Sequence, residues 1–431
     1  MKETRSIAGK VIPAAVGVNP GTTLYFTKSF HLHYLHGGAM RYDFDTPVDR
    51  RNTGCLKWDH LGSMFGRDDL ISMWIADMDF RLPGPVLDRI RDRAGHGVFG
   101  YTARPESFYG AVQSWFRRRH GLAVPREWIT ATPGVVPALC FAMQEFTAPG
   151  DGVIIQPPVY HPFAESVRVN DRVVVENPLV FRDGRYTVDL QDLRRKATDA
   201  RMLVLCSPHN HVSRVWTEDE LRGMMEVAGE YDLLVFSDEI HADIVFRPHR
   251  HIPTLSLDDD SRGRTIAAYA TSKTFNLAGM QLSVILIADP EIRRRYTGFI
   301  ERLQMAHSNI FGIVATEAAY VSGEEWLDQL LEYLWENYVF VRDFIGEHLP
   351  GVWVQEPEGT FLLWLDCRGT GIADDELMDF FVREAGVCMN PGTMFGAGGG
   401  GFMRMNIAAP RSMIGAAMDS IRKALDRRKE P

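Results

Sequence analysis

The chain lacks a net positive charge and a long apolar run, and each absence excludes a class of protein. Its formal net charge is -9 over 431 residues, whereas proteins that bind a nucleic-acid backbone present a basic face. No apolar run approaches the length of a membrane span. We therefore expect no nucleic-acid partner and no membrane partner.

Cysteine is scarce as well, and no two cysteines stand in Cys-x-x-Cys spacing. The five residues are Cys55, Cys140, Cys206, Cys367 and Cys388. A disulfide framework uses an even number of cysteines at regular spacing. The odd, dispersed set fits free thiols in a reducing compartment, so we predict a cytoplasmic protein.

Lysine is rare, and most of the positive charge is carried by arginine. Lys273 is the only lysine between Lys196 and Lys423. It follows the apolar run 265–270, which reads as a buried strand, and Ser272 stands directly before it. A desolvated amine loses its proton easily, and a lone lysine in this setting is typical of Schiff-base chemistry.

A second apolar run, 233–236, ends just before Asp238. Ligands in open α/β sheets collect at the carboxyl ends of strands, so Asp238 and Lys273 are predicted to face one crevice. Taken singly, each residue has a plainer interpretation. Asp238 could cap the next turn, and Lys273 could be an ordinary surface cation.

A strand, a glycine turn and a helix start follow one another at 128–139 and predict an anion site. The residues at the turn are Gly134, Val135 and Val136. Free backbone N–H groups and the helix dipole point at whatever lies beyond the first turn, and glycine permits a close approach. No Lys-Ser/Thr pair follows, so the site is not a nucleotide P-loop.

Two motifs together carry a resemblance to a known family. Ser-Asp-Glu-Ile-His at 237–241, with Lys-Thr-Phe-Asn-Leu-Ala-Gly at 273–279, resembles fold-type I pyridoxal-phosphate (PLP) enzymes of the class I/II aminotransferase superfamily. More closely, it resembles the MalY/PatB-type cystathionine β-lyase (C–S lyase) branch. The resemblance runs from about Met40 to the C-terminus.

The resemblance implies an α/β fold of PLP-dependent transferase type I. A large domain with a mostly parallel central sheet is expected at 88–325, and a smaller α/β domain at 326–431. The N-terminal segment 40–87 is expected to join the small domain. Residues 1–39 are expected to form a flexible extension. That extension holds His31, His33 and His36, but no carboxylate or cysteine stands beside them at ligand spacing, so no metal is predicted.

The resemblance also implies roles for single residues toward the cofactor. Asp238 pairs with the pyridine nitrogen, Tyr160 stacks on the ring and Asn210 donates to the phenolic oxygen. Lys273 carries the cofactor, with Ser272 beside it. The residues at 134–136 bind the phosphate.

Further residues are implied in substrate binding and assembly. Arg404 holds the substrate carboxylate, for which a planar guanidinium is suited, and Asp79 lies beside the substrate or caps the next helix. Tyr101 reaches the cofactor phosphate of the other subunit, which implies a homodimer with a shared active site. His241 either tunes the phenolate or is a core histidine.

The chain departs from the family pattern at three positions. His211 and Ser213 stand where Asn-Pro-x-Gly has proline and glycine, so either the turn that carries Asn210 is altered or the enzyme is specialised. Gln281 stands where many aminotransferases place a phosphate-binding arginine, which favours the C–S lyase branch.

The expected function is therefore a PLP-dependent C–S β-lyase that cleaves a cysteine S-conjugate to a thiol, pyruvate and ammonia. The same residues also suit an aminotransferase, or an oxidative deaminase coupled to decarboxylation in natural-product biosynthesis. A non-catalytic, PLP-binding regulator is a further alternative, although nothing in the sequence resembles a DNA-binding module.

Overall fold

Short apolar runs build a central sheet in the computed structural model, which describes residues 42–429. The predicted extension and its three histidines lie outside these residues. Among the described residues the sheet has seven strands. In spatial order they are Ile129–Thr132, Ser283–Ile287, Thr265–Tyr269, Leu234–Asp238, Ala200–Cys206, Gly152–Ile155 and Val173–Glu176.

All of these strands run in one direction except Ser283–Ile287, which is antiparallel to both of its neighbours. The sheet confirms the predicted mostly parallel α/β fold. The predicted strands ending near Asp238 and before Lys273 are both present, whereas Trp128 belongs to a 3-10 turn and its strand begins at Ile129.

Helices cover both faces of the sheet, which explains why its strands are continuously apolar rather than alternating. In chain order the helices are Leu56–Asp59, Leu61–Phe65, Gly84–Gly95, Glu106–His120, Val135–Phe146, Pro162–Val169, Leu190–Ala197, Glu218–Glu230, Asp259–Gly263, Thr271–Thr274, Pro290–Arg302, Ile310–Ser322, Glu324–His348, Leu377–Asp379 and Arg411–Lys429.

Neighbouring residues of one strand enter different cores, as the two-residue period of a strand requires. Met202 and Val204 pack in one buried cluster with Val153, whereas Leu203 and Leu205 pack in another on the opposite face. The polar ends of these strands are thereby fixed in position by cores on both sides.

A second sheet lies in the C-terminal part of the chain. Its strands are Trp353–Val354, Leu362–Asp366, Phe402–Asn406 and Asn390–Pro391, in that order and all antiparallel. A long helix, Glu324–His348, precedes it. The proposed domain limits at residues 88 and 326 stay a prediction.

The remaining strands form two small pairs, Ile71–Ser72 with Val387–Cys388 and Val180–Arg182 with Arg185–Thr187. None of the helices within residues 42–429 combines the length and the apolar character that crossing a membrane requires.

Candidate active site

The carboxyl ends of the central strands surround a cavity of about 200 Å³. Every predicted cofactor-binding residue except Tyr101 lines it. The lining residues are Pro133, Gly134, Val135, Val136, Pro137, Tyr160, Cys206, Asn210, Asp238, Ile240, His241, Ser272, Lys273, Ala278, Gln281, Leu282 and Ser283.

Lys273 lies in the short helix Thr271–Thr274, directly after its strand. Its Nζ donates a hydrogen bond of 2.6 Å to the carbonyl of Ala76. Burial, together with a smaller effect of the Arg404 charge, lowers the pKa of the amine to about 8 against the opposing effects of Asp77 and Asp238. Roughly a tenth of the amine is therefore unprotonated at pH 7, far more than for an ordinary lysine, and this fraction can act as a nucleophile or base.

Asp238 ends the neighbouring strand and is buried. The backbone N–H of Ile240 donates to its Oδ1 at 3.1 Å. Burial nevertheless raises the pKa of Asp238 to about 7, although the Lys273 charge opposes the shift. A cation placed beside this carboxylate would stabilise its ionised form.

The anion end of the cavity is the start of the helix Val135–Phe146. Gly134 precedes this helix, and a Cβ on it would lie 3.2 Å from Pro137 Cδ. Thr132 Oγ1 donates to the carbonyl of Gly134 at 3.0 Å, which fixes the turn. Val135 and Val136, the first residues of this helix, line the cavity, so the unpaired N–H groups at the helix start are available to stabilise an anion there.

Two lining side chains carry buried polar atoms without a hydrogen-bond partner in the described part of the chain. They are Asn210 Oδ1 and both ring nitrogens of His241. Burial keeps the pKa of His241 well below its ordinary value, and the charges of Lys273 and Arg404 act in the same direction. Unpaired buried polar atoms are costly, so this wall of the cavity suits a polar ligand.

These features together fit the PLP that the resemblance implies. Asp238 suits a protonated ring nitrogen, Tyr160 offers an aromatic face, and Lys273 offers an amine for a carbonyl carbon. The helix start at Val135 suits the phosphate, and Asn210 suits a polar ring substituent.

Arg404 lies on the strand Phe402–Asn406, buried, with its guanidinium carbon 4.9 Å from the ring centroid of Phe395. Its Nη2 donates to Trp74 O and to Asn390 Oδ1, both at 2.7 Å. Its Nε is buried and has no partner among the described residues. Burial lowers its pKa to about 10. The group is a fixed cation close enough to influence Lys273.

Three predicted site residues, Arg404, Asp79 and Tyr101, are not among those that line the cavity. Asp79 is buried in an ion cluster, in which Lys57 Nζ lies at 2.6 Å, Arg50 Nη1 at 2.8 Å and Trp58 Nε1 at 2.9 Å from its carboxylate. It caps no helix, because the following helix begins after Pro83 without a side-chain cap. Tyr101 is fully exposed.

The unusual turn after Asn210 leaves that residue on the wall of the cavity. The Asn210–His211 peptide bond is cis, and Ser213 has φ +54°, a backbone region that favours glycine. The Ser213 hydroxyl donates to the carbonyl of Leu362 at 2.6 Å, and the ring of His211 lies against Trp364. Asn210 still lines the cavity, so the substitutions leave this wall in place.

Sequence reasoning missed the residues that hold the lysine turn from outside. Ala76 accepts from Lys273, while Asn276 donates to the carbonyl of Met78 at 2.8 Å. Lys57 is fully buried. The rarity of lysine in this chain was the available sequence signal for Lys57 and its ion cluster.

Known proteins share this architecture and much of the sequence. Residues 69–421 match the family described as aminotransferase class I and II. The chain is 40% identical to cystathionine beta-lyase PatB of Bacillus subtilis over 385 residues, covering 89% of this chain and 100% of PatB. The chain belongs to the class I and II aminotransferase family.

Two further comparisons place the chain within that family. Protein MalY of Escherichia coli is 31% identical over 377 residues, covering 86% of this chain and 96% of MalY. The PLP-bound C–S lyase from Staphylococcus hominis has a TM-score of 0.84 and 32% identity, covering 90% of this chain and 99% of that structure. This aminotransferase-family chain therefore stands in the branch of PatB and MalY, as the motifs at 237–241 and 273–279 indicated.

Proposed function

We propose that the protein is a PLP-dependent C–S β-lyase that converts a cysteine S-conjugate and water to a thiol, pyruvate and ammonia. The observation that carries the proposal is the pair formed by Lys273 and Asp238. A buried amine and a buried acid, with pKa values of about 8 and about 7, share one cavity. The names of the relatives support the same reaction.

The cofactor would be held by Lys273, Asp238, Tyr160, Asn210 and the helix start at 134–136. When bound, PLP supplies an electron-poor ring that accepts the electrons released at the substrate Cα. Asp238 holds a proton on the ring nitrogen, which requires its own ionised form. The buried carboxylate of Asp238 would thereby gain the counter-charge that it otherwise lacks.

Arg404 binds the substrate carboxylate and thereby orients the substrate, because its own position is fixed by Trp74 O and Asn390. Positioning of this kind contributes a large part of many catalytic rates. Lys273, once free, removes the proton from Cα as a general base. Its lowered pKa suits this role at neutral pH, since a base works best when its pKa lies near the working pH.

The proposed homodimer rests on an exposed apolar surface around Tyr101. Val98, Phe99, Leu303 and Met305 are also exposed there, and the ring of Tyr101 lies 6.2 Å from that of His307. Exposed apolar clusters of this kind mark interaction sites. A second copy of the chain would cover the surface and bring Tyr101 to the neighbouring cavity.

We also propose a cytoplasmic location. The five cysteines form no disulfide among the described residues, as expected for a reducing compartment.

Incubation of the purified protein with an S-alkyl cysteine tests the reaction. Equal amounts of pyruvate and free thiol are expected, and the Lys273→Ala variant should form neither. Aminotransfer is the second candidate, favoured by the family match. Exchange of the amino group between an added amino acid and an added keto acid, without thiol release, would show that the protein is an aminotransferase and not a lyase.

A further inference from the structure

The chain segment 75–80 lies against the turn that carries Lys273, and Asn276 holds it there. The backbone N–H of Met78 donates to Asn276 Oδ1 at 2.9 Å. Asn276 Nδ2 in turn donates to the carbonyls of Met78 at 2.8 Å and Phe80 at 3.3 Å. Asn276 stands three positions after the lysine, so these hydrogen bonds connect the segment directly to the lysine turn.

Asn406 holds the same segment from the opposite side. Its Nδ2 donates to the carbonyls of Ile75 at 2.5 Å and Asp77 at 2.7 Å. The carbonyl between them belongs to Ala76, and it accepts the 2.6 Å hydrogen bond from Lys273 Nζ. The backbone of this segment therefore presents one acceptor to the amine at a fixed place.

Asp77 is the next residue in the chain after Ala76, whose carbonyl is that acceptor. Arg50 grips the Asp77 carboxylate with two hydrogen bonds, Nη1 to Oδ1 at 3.0 Å and Nη2 to Oδ2 at 2.6 Å. Lys57 Nζ lies 3.5 Å from Oδ1. Two bonds in fork geometry fix a carboxylate in orientation as well as in position, so Asp77 is a fixed anion beside the Ala76 carbonyl.

We propose that the Ala76–Asp77 unit positions the free amine of Lys273 for proton removal, the carbonyl by accepting its hydrogen bond and the carboxylate by supplying the opposing charge. Asp77 is thus a positioning residue, while Lys273 remains the catalytic base. This inference rests on the proposed lyase function for its meaning in catalysis. The contact itself is independent of that function.

Four charged or titratable groups face the amine. The anions Asp77 and Asp238 favour its protonated form, and Asp77 has the larger effect of the two. The cation Arg404 opposes them, and His241 is kept neutral by burial. Removing the charge of Asp77 should therefore weaken the base more than removing any other anion would.

The lysine amine can be titrated directly, because the chain has only eight lysines. The full-length protein, freed of cofactor, is prepared with ¹³C-labelled lysine side chains, and the Lys273 resonance is assigned by its loss in Lys273→Ala. In Asp77→Asn the pKa of this amine should fall from about 8 to about 7 or lower, as loss of a nearby opposite charge predicts. Asp69→Asn, which removes an exposed anion paired with Arg67, is the matched control and should leave the titration unchanged.

An unchanged Lys273 titration in Asp77→Asn overturns the proposal, whether or not the protein is a lyase. Asp77→Ser is the second variant in case asparagine does not give folded protein. In the holoenzyme with an S-alkyl cysteine, the acidic limb of the kcat profile should move to lower pH in Asp77→Asn. On the high-pH plateau, where the base is fully unprotonated, kcat should be reduced more than KM is changed. A shifted Lys273 titration together with an unchanged kcat profile would show that Asp77 does not contribute to catalysis. Absence of lysis by the wild-type protein instead counts against the proposed function alone.

Discussion

Asp238 and Lys273 lie 35 positions apart in the chain, yet their side chains line the same cavity. Parallel pairing brings them together, because Asp238 is the register partner of Ala268 on the adjacent strand. The chain then needs only one further turn to deliver the amine. Both groups have pKa values shifted toward neutrality by burial, which gives the following predictions.

Asp238→Asn should change how stability depends on pH in the cofactor-free protein. The folded state raises the pKa of Asp238 to about 7. The stabilisation that the bound proton gives the folded state is therefore fully present below the unfolded pKa of about 4. It is lost as pH rises through about 7. The free energy of unfolding of wild type should thus fall relative to Asp238→Asn between pH 4 and 8, by up to about 4 kcal/mol.

Chemical denaturation of both proteins across this pH range measures the difference. A difference that stays constant with pH would contradict a buried, proton-binding Asp238. In the holoenzyme the same substitution should lower kcat roughly 100-fold or more, because the ring nitrogen loses its counter-charge.

Arg404→Ala should raise KM for S-alkyl cysteines by about 30-fold or more, since it removes a buried charged partner of the carboxylate. Arg404→Lys should recover part of the loss, because a lysine keeps the charge but not the guanidinium geometry. S-alkyl cysteamines lack the carboxylate, and their binding to the holoenzyme is the control. If the binding of both ligand classes is weakened equally, Arg404 does not recognise the carboxylate.

Ser213→Ala should destabilise the protein by about 1–3 kcal/mol, because the positive φ remains while the buried carbonyl of Leu362 loses its donor. Ser213→Gly should cost less, since glycine relieves the backbone strain. Urea denaturation of the two variants compares them. A glycine variant less stable than the alanine variant would show that φ does not govern this position.

Tyr101 should act in the site of the partner subunit. A mixture of Lys273→Ala and Tyr101→Ala subunits, unfolded and refolded together, should recover about one quarter of wild-type activity, because half of the dimers are mixed and each has one intact site. Each variant refolded alone is the control. Failure to recover activity in dimers shown to be mixed would place Tyr101 in its own subunit's site, or in none.

The sequence predicted the parts of the site that follow strands. Apolar runs predicted the strands that deliver Asp238 and Lys273, and a glycine turn predicted the helix start at Val135. Such local patterns are reliable because the spacing of apolar residues along a short stretch of chain predicts which element forms and whether it is buried. The expected role of Asp79 beside the substrate stays a prediction, since its carboxylate is occupied by Lys57 and Arg50.

The contacts around Ala76 could not be predicted in the same way. The hydrogen bond from Lys273 to its carbonyl joins residues 197 positions apart, and a backbone carbonyl leaves no mark in the sequence. The conformation of the turn at Asn210 could not be predicted for a related reason. Whether Ser213 tolerates a positive φ depends on the acceptor at Leu362, which comes from a distant strand.

Reduction of the purified holoenzyme with borohydride, followed by peptide mapping, tests the central claim most directly, because reduction fixes the cofactor to the amine that carries it. The phosphopyridoxyl group should be found on the peptide that contains Lys273 and on no peptide that contains another lysine. A cofactor attached elsewhere, or an unmodified Lys273 peptide from protein that binds PLP, would contradict the account.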